Sequence, residues 1–347
     1  MKLASLKGGR DGKLIVVDRG LSRYTDASAI APTLQAALDE WSTLSPQLEQ
    51  VSRELEAGRV QSAPFDARAV AAPLPRAFQW VDAAAYVAHS LLMREDLGEK
   101  LPPLNGGDGP LIWRGASDRL SAARDDIVVT EPEWQCDVEG EVAVITGDVP
   151  RGASRAEALG AVQLLGMVND ISMRRFSPLE LTNRFGFVHS KPESAFSPVF
   201  VTPDEWGDSW RDGKLHCTVK VDVNGTPLVR ANAAEDMPFD FGELVCATAK
   251  TRAMGTGSII CSGAVSNRGP DGRASTPVDQ GGGGYACFAD IRAVEELLHG
   301  EAKTSFLRPG DVVRMWAENE RGESVFGAIE QSVVSLNADR KWINRNG

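Results

Sequence analysis

Residues 136–145 read Cys136-Asp137-Val138-Glu139-Gly140-Glu141-Val142-Ala143-Val144-Ile145, and the fold turns on how this run is interpreted. The β-branched Val142, Val144 and Ile145, with acids at alternate positions before them, predict a strand. Side chains two apart on a strand share a face, so Asp137, Glu139 and Glu141 are expected to point the same way. Three ionised carboxylates on one face repel one another unless a cation neutralises them. A solvated edge strand with acidic teeth fits the same spacing. Further on, the apolar run Leu164-Leu165-Gly166-Met167-Val168 stops abruptly at Asn169-Asp170. A carboxylate just past a buried strand is well placed to aim an oxygen into a site. Two glutamates and this aspartate would give an all-oxygen site, which suits Mg2+, Mn2+ or Ca2+ rather than zinc.

The rest of the composition bounds the possibilities. With 347 residues, 42% of them hydrophobic and 24% charged, the chain has the makings of one large globular domain and a small one. A net charge of −11 without any compensating basic stretch argues against nucleic acid as a partner. The five cysteines, Cys136, Cys217, Cys246, Cys261 and Cys287, are scattered and form no CxxC pair. They indicate small core residues in a reducing compartment, neither disulfides nor a zinc site. The N-terminal residues contain no long apolar run of the signal-peptide kind, and no window approaches about 18 apolar residues, so no membrane partner and a cytoplasmic location are expected.

Taken from the start, Leu3–Leu6 and Leu14–Val17 flank a turn-rich Gly8–Gly12 and predict a hairpin. Helices are expected over 31–41 and 45–57, and the run Ala71-Ala72-Pro73-Leu74-Pro75 reads as a linker. The division expected is a small N-terminal α+β domain over 1–72 and a catalytic domain over 73–347. The alanine-rich 83–93 predicts a helix with Asp82 as its N-cap. Asp82 and His89, seven apart, would then share roughly one helical face, either as a cap and a packed histidine or as site residues. A helix is predicted from Arg155, and another over 239–250. A strand over 217–223 turns at Asn224-Gly225 into a hairpin. The four glycines Gly281–Gly284 make a loop without the Lys-Ser/Thr of a phosphate cradle. Periodicity alone gives an α+β fold.

The ordered set Glu139-x-Glu141, then Asn169-Asp170-Ile171-Ser172-Met173-Arg174, then Lys191, resembles the fumarylacetoacetate hydrolase family. The likeness extends from about Pro75 to Val334 and includes Asp82 with His89 seven residues on, Pro110–Gly115, the Asn224-Gly225 turn and Pro309-Gly310-Asp311. It implies a mixed β-roll catalytic domain behind a small N-terminal domain, and a homodimer. By the same resemblance Asp82, Glu139, Glu141 and Asp170 would hold a divalent metal, Mg2+ first, with Mn2+ or Ca2+ as alternatives. His89 would be the general base, Asp290 the acid that orients it, and Lys191 a catalytic cation. Trp113 stands where the family places a substrate-contacting aromatic, usually tyrosine. Arg174, four residues past Asp170, is either a surface charge or an anchor for a substrate carboxylate. Two positions depart from the family: Ala195 and Ala264 replace threonines, which leaves the substrate open. The activity implied is metal-dependent hydrolysis of a C–C bond in a small keto acid, a 1,3-diketo acid or acylpyruvate. Alternatives are decarboxylation, hydration or dehydration, and tautomerisation of keto acids, or a non-catalytic metal-stabilised interaction protein.

Overall fold

A computed structural model describes residues 1–96, 109–270, 272 and 275–336, although not the side chains of residues 91 and 93–96. Its frame is an eleven-stranded mixed sheet. At the centre Gly140–Thr146 lies antiparallel to Val162–Asn169 on one side and to Ser258–Cys261 on the other. Beyond Ser258–Cys261 come Trp80–Ala83, added in parallel, and Ile112–Arg114. The central strand is buried along its whole length, because apolar layers cover both faces. Val142 and Val144 enter one core, Ala143 and Ile145 the other, as the two-residue period of a strand requires. The strand is therefore interior and not a solvated edge. Gly166 in the neighbouring strand is dictated by packing, since a Cβ there would lie 1.9 Å from the Phe200 ring.

The N-terminal hairpin, Lys2–Leu6 with Lys13–Val17, continues this same sheet by pairing with Phe200–Val201. Helices Leu34–Asp39 and Trp41–Glu56 cover it, and Leu34, Leu38, Leu48 and Leu55 share a core with Trp80, Ile145, Leu164 and Phe200. Ala72 and Leu74, within the run read as a linker, are buried in that core. The N-terminal residues thus share both a sheet and a core with the central strands. A second sheet orders Thr226–Asn232, Thr218–Val223, Val312–Glu318, Ile329–Ser335 and Ile127–Val129. Its hairpin turns at Asn224 and Gly225, both at positive φ, as the Asn-Gly pair predicts. Few helices accompany these strands, and the mixed α+β architecture expected from the sequence is what the structure has.

One expected helix begins late. Trp80–Ala83 is a strand and the helix spans Val87–Asp96, so Asp82 is no N-cap. Four buried residues, Trp80 to Ala83, satisfy their backbone by pairing between two strands of the sheet, which outweighs the helix propensity of the alanines. Asp82 and His89 come from two different elements.

Candidate active site

The acidic run breaks just before the central strand. Cys136–Asp137 pairs with Ser172–Met173 as a short separate ribbon, and Gly140 starts the large sheet. Asn169 pins the break: its Oδ1 accepts from Glu139 N at 3.3 Å, and Asp170 N donates to Glu139 O at 2.8 Å. The three acids consequently face three different sets of partners, correcting the common face expected of one regular strand.

Glu141 turns towards Asp82 and Asp170, and the carboxylate oxygens of these three lie within 4.8 Å of one another. All three residues are buried. Gly263 N donates to Glu141 Oε2 at 3.1 Å and Ser194 Oγ to Asp170 Oδ1 at 2.8 Å, while Ala83 N donates to Asp82 Oδ1 at 2.7 Å. Gly263 is required here, with φ +86° and a Cβ position 2.1 Å from Ala83 O. Asp82 Oδ2 and Glu141 Oε1 are buried without a hydrogen-bond partner. Burial, then Asp170 and Glu139, push Asp82 up to about 8. Burial and the neighbouring carboxylates hold Glu141 well above its usual range, and burial raises Asp170 to about 6 although Lys191 opposes the shift. Two orphaned oxygens among crowded carboxylates fit a divalent cation, and the all-oxygen donor set suits a hard one.

Glu139 stands beside this trio rather than in it. Its Oε1 accepts from Arg174 Nη2 and its Oε2 from Lys191 Nζ, each at 2.6 Å. Burial would raise its pKa, but Arg174 and Lys191 overcome that and hold Glu139 well below the ordinary carboxylate range. Lys191 is buried, and its ammonium also donates to Asp170 Oδ2 and to Ser172 Oγ. Burial works against its charge, yet Asp170 and Glu139 keep it protonated. Arg174 lines the cavity, but its Nε goes to Asp137 and its Nη2 to Glu139, so these donors hold protein carboxylates instead of the substrate carboxylate expected.

Asp137, expected on the shared acidic face, has a different part. It is fully buried and accepts Phe288 N at 2.8 Å, Ala289 N at 2.9 Å and Arg174 Nε at 2.9 Å. It thereby caps the helix Phe288–His299, whose own N-cap Cys287 makes no side-chain capping bond. Within the first turn of that helix, Asp290 Oδ1 accepts from His89 Nδ1 at 2.8 Å, and His89 N is held by Ser266 Oγ at 3.1 Å. Asp290 is thus a buried helix residue. Burial lowers the pKa of His89, but Asp290 and Glu139 more than offset this, and the net shift is upward. His89 Nε2 lies 3.6 Å from Glu139 Oε1.

Asp82, His89, Glu139, Glu141, Arg174 and Lys191 all line one cavity of about 820 Å³. Trp113 also lines it from the strand paired with that of Asp82, its ring edge-on to Phe187 at 5.5 Å. Ala264 contributes a methyl to the lining, whereas Ala195 is buried in a strand away from it. Sequence reasoning missed the roles of Asp137, Asn169, Ser194 and Gly263. Of these, Asp137, in the acidic run, and Asn169, within the Asn-Asp motif, stood out in the sequence, whereas Ser194 and Gly263 did not.

Two family descriptions match the chain: "Fumarylacetoacetate (FAA) hydrolase C-terminal" over residues 79–334 and "Fumarylacetoacetase N-terminal domain 2" over residues 1–76. The chain belongs to the fumarylacetoacetate hydrolase family. Over 157 residues it is 29% identical to 2,4-didehydro-3-deoxy-L-rhamnonate hydrolase of Sphingomonas sp. (strain SKA58), covering 44% of this chain and 52% of that protein. The chain therefore spans about half the length of this curated relative. Among solved structures it is similar in fold to maleylpyruvate hydrolase from Sphingobium sp. SYK-6 in complex with manganese (II) ion and pyruvate. The TM-score is 0.63 at 16% identity, over 96% of this chain and 99% of that one. A probable 2-hydroxyhepta-2,4-diene-1,7-dioate isomerase from Mycobacterium abscessus matches with a TM-score of 0.65 at 17% identity, again over 96% and 99%.

Proposed function

We propose that this chain is a divalent-metal-dependent hydrolase that cleaves a C–C bond of a small 1,3-diketo acid or acylpyruvate. The observation that carries the reading is a cavity lined by His89, which Asp290 holds from behind, and by Asp82 and Glu141, whose orphaned oxygens group with Asp170 as a carboxylate trio. Asp82, Glu141 and Asp170 would hold the ion, with Glu139 beside them, and Mg2+ is the first choice over Mn2+ or Ca2+. The named hydrolase relatives, one of them complexed with manganese and pyruvate, support this assignment. When bound, the ion supplies positive charge for the substrate's oxygens and for the enolate that departs.

The protein's own groups do the rest. With Nδ1 committed to Asp290, His89 presents Nε2 as the basic nitrogen that takes a proton from water. The water oxygen bonds to the distal carbonyl carbon. The bond from that carbon to the methylene then breaks, and the methylene takes back a proton, giving a carboxylic acid and a keto acid. The Lys191 ammonium, fixed between Glu139 and Asp170, is preorganised against developing negative charge. Trp113 forms part of the wall against which the substrate lies.

In this reading the partner is a small keto acid, with no nucleic acid and no membrane. Among the described residues no helix is long and apolar enough to cross a membrane, and five free cysteines suit a cytoplasmic setting. The homodimer implied by the family resemblance belongs to the same proposal. Light scattering should return twice the 37.3 kDa chain mass, and a single chain mass would remove the dimer. The reaction itself is tested by following diketone consumption with and without metal. Turnover confined to decarboxylation or isomerisation would replace hydrolysis as the function.

A further inference from the structure

Away from the acids, the cavity is walled by apolar groups from separate elements: Ile112 and Trp113, Leu181, Phe187, Ala293 and Phe306. Ala264 adds a methyl next to Gly263, the residue that holds Glu141. Among the described residues four cations also reach the lining, and each has a definite setting. Arg174 serves Asp137 and Glu139, and Lys191 serves Glu139 and Asp170. Arg292 donates Nη1 to Thr304 O at 2.5 Å and lays its guanidinium over the Phe306 ring at 4.9 Å. Arg184, the C-cap of the helix Ser177–Asn183, is exposed. Among the described residues the buried Lys191 and the half-buried Arg174 and Arg292 are thus committed to protein carboxylates, a carbonyl and an aromatic face. A carboxylate leaving water for these walls would lose its hydration, and none of the described buried or half-buried cations is uncommitted to replace it. An aryl or alkyl group would gain from the same transfer.

Resting on the hydrolase reading above, we propose that the acyl arm of the substrate is uncharged and mainly apolar. The favoured class is an acylpyruvate with a single carboxylate and an aryl or alkyl arm, not one whose arm ends in a second carboxylate. Binding is read in His89→Ala protein loaded with Mn2+, which spares the ligand, by calorimetric titration with benzoylpyruvate and with fumarylpyruvate. Wild-type hydrolysis of both is measured beside it. Benzoylpyruvate should bind at least about tenfold more tightly, and Ile112→Arg, which places a cation in the apolar wall, should narrow that ratio by about tenfold. Tighter binding of fumarylpyruvate, lost again in Arg184→Ala, would overturn the proposal by showing that Arg184 reads a second carboxylate. Faster hydrolysis of fumarylpyruvate would overturn it too, while leaving the hydrolase reading intact. A retained preference for benzoylpyruvate without hydrolysis of either compound would sink the hydrolase reading and leave the arm assignment standing. Binding of neither compound would remove both.

Discussion

Asp137→Ala removes one acceptor from three donors at once: Phe288 N, Ala289 N and Arg174 Nε. Arg174 keeps Glu139 as a partner, so the cost lies in the donors left without an acceptor, at about 1–3 kcal/mol for a buried group. Chemical denaturation should show a loss of that size, and a loss below about 1 kcal/mol would mean that water readily replaces the carboxylate. His89 gives a pH prediction instead. Asp290 holds the imidazole protonated above its ordinary pKa of about 6.5, and the proposed base must be neutral. Activity should therefore rise with pH through a midpoint above that value, and Asp290→Asn should move the midpoint down. An unmoved midpoint in that variant would detach Asp290 from the base. The identities of Asp82, His89, Glu139, Glu141, Asp170, Lys191 and Asp290 were legible because residue type and order survive without knowledge of the backbone. The direction of Asp137 was not, since it depends on a helix about 150 residues later in the chain.

The central strand and its neighbours carry the site, so small errors in their packing should reach it. Gly166→Ala would drive a methyl into the Phe200 ring, and overpacking of this kind typically costs about 1–3 kcal/mol. A lowered Tm is expected, and Phe200→Leu added to it should recover part of the loss; failure to recover would place the strain elsewhere. Hairpins and most helices were legible from local signals such as Asn224-Gly225 and the apolar spacing before Trp41. Elements decided by sheet pairing were not. Asp82 and Ala83 read as the cap and first residue of a helix and instead end the strand Trp80–Ala83, because Ser258–Cys261 and Ile112–Arg114 lie on either side. The acidic run looks like one continuous strand and is split because Asn169 holds Glu139 out of register. Both outcomes rest on contacts distant in sequence, which periodicity does not register.

For the molecule as a whole, three crowded carboxylates make metal-free stability depend on pH. Asp82 and Asp170 keep their protons up to about 8 and about 6 in the fold, above their ordinary carboxylate range. A raised folded-state pKa contributes stability that is complete below the unfolded value of about 4 and is lost as pH rises through the folded value. The depressed Glu139 acts only at lower pH, since its contribution disappears in strong acid. The Tm of the metal-free protein should thus fall between about pH 5 and about pH 8.5, and added Mn2+ should raise it most at the upper end. A Tm that climbs across this window without metal would contradict the carboxylate trio. The decisive measurement is the loss of enol absorbance of an acylpyruvate, followed with Mg2+, with a chelator, and with His89→Ala. Hydrolysis that needs the metal and falls about 10²–10⁴-fold in His89→Ala, while that variant still binds the ion, is the result expected. Undiminished hydrolysis in His89→Ala, or in the presence of the chelator, would contradict a metal-dependent hydrolase built on the His89–Asp290 dyad.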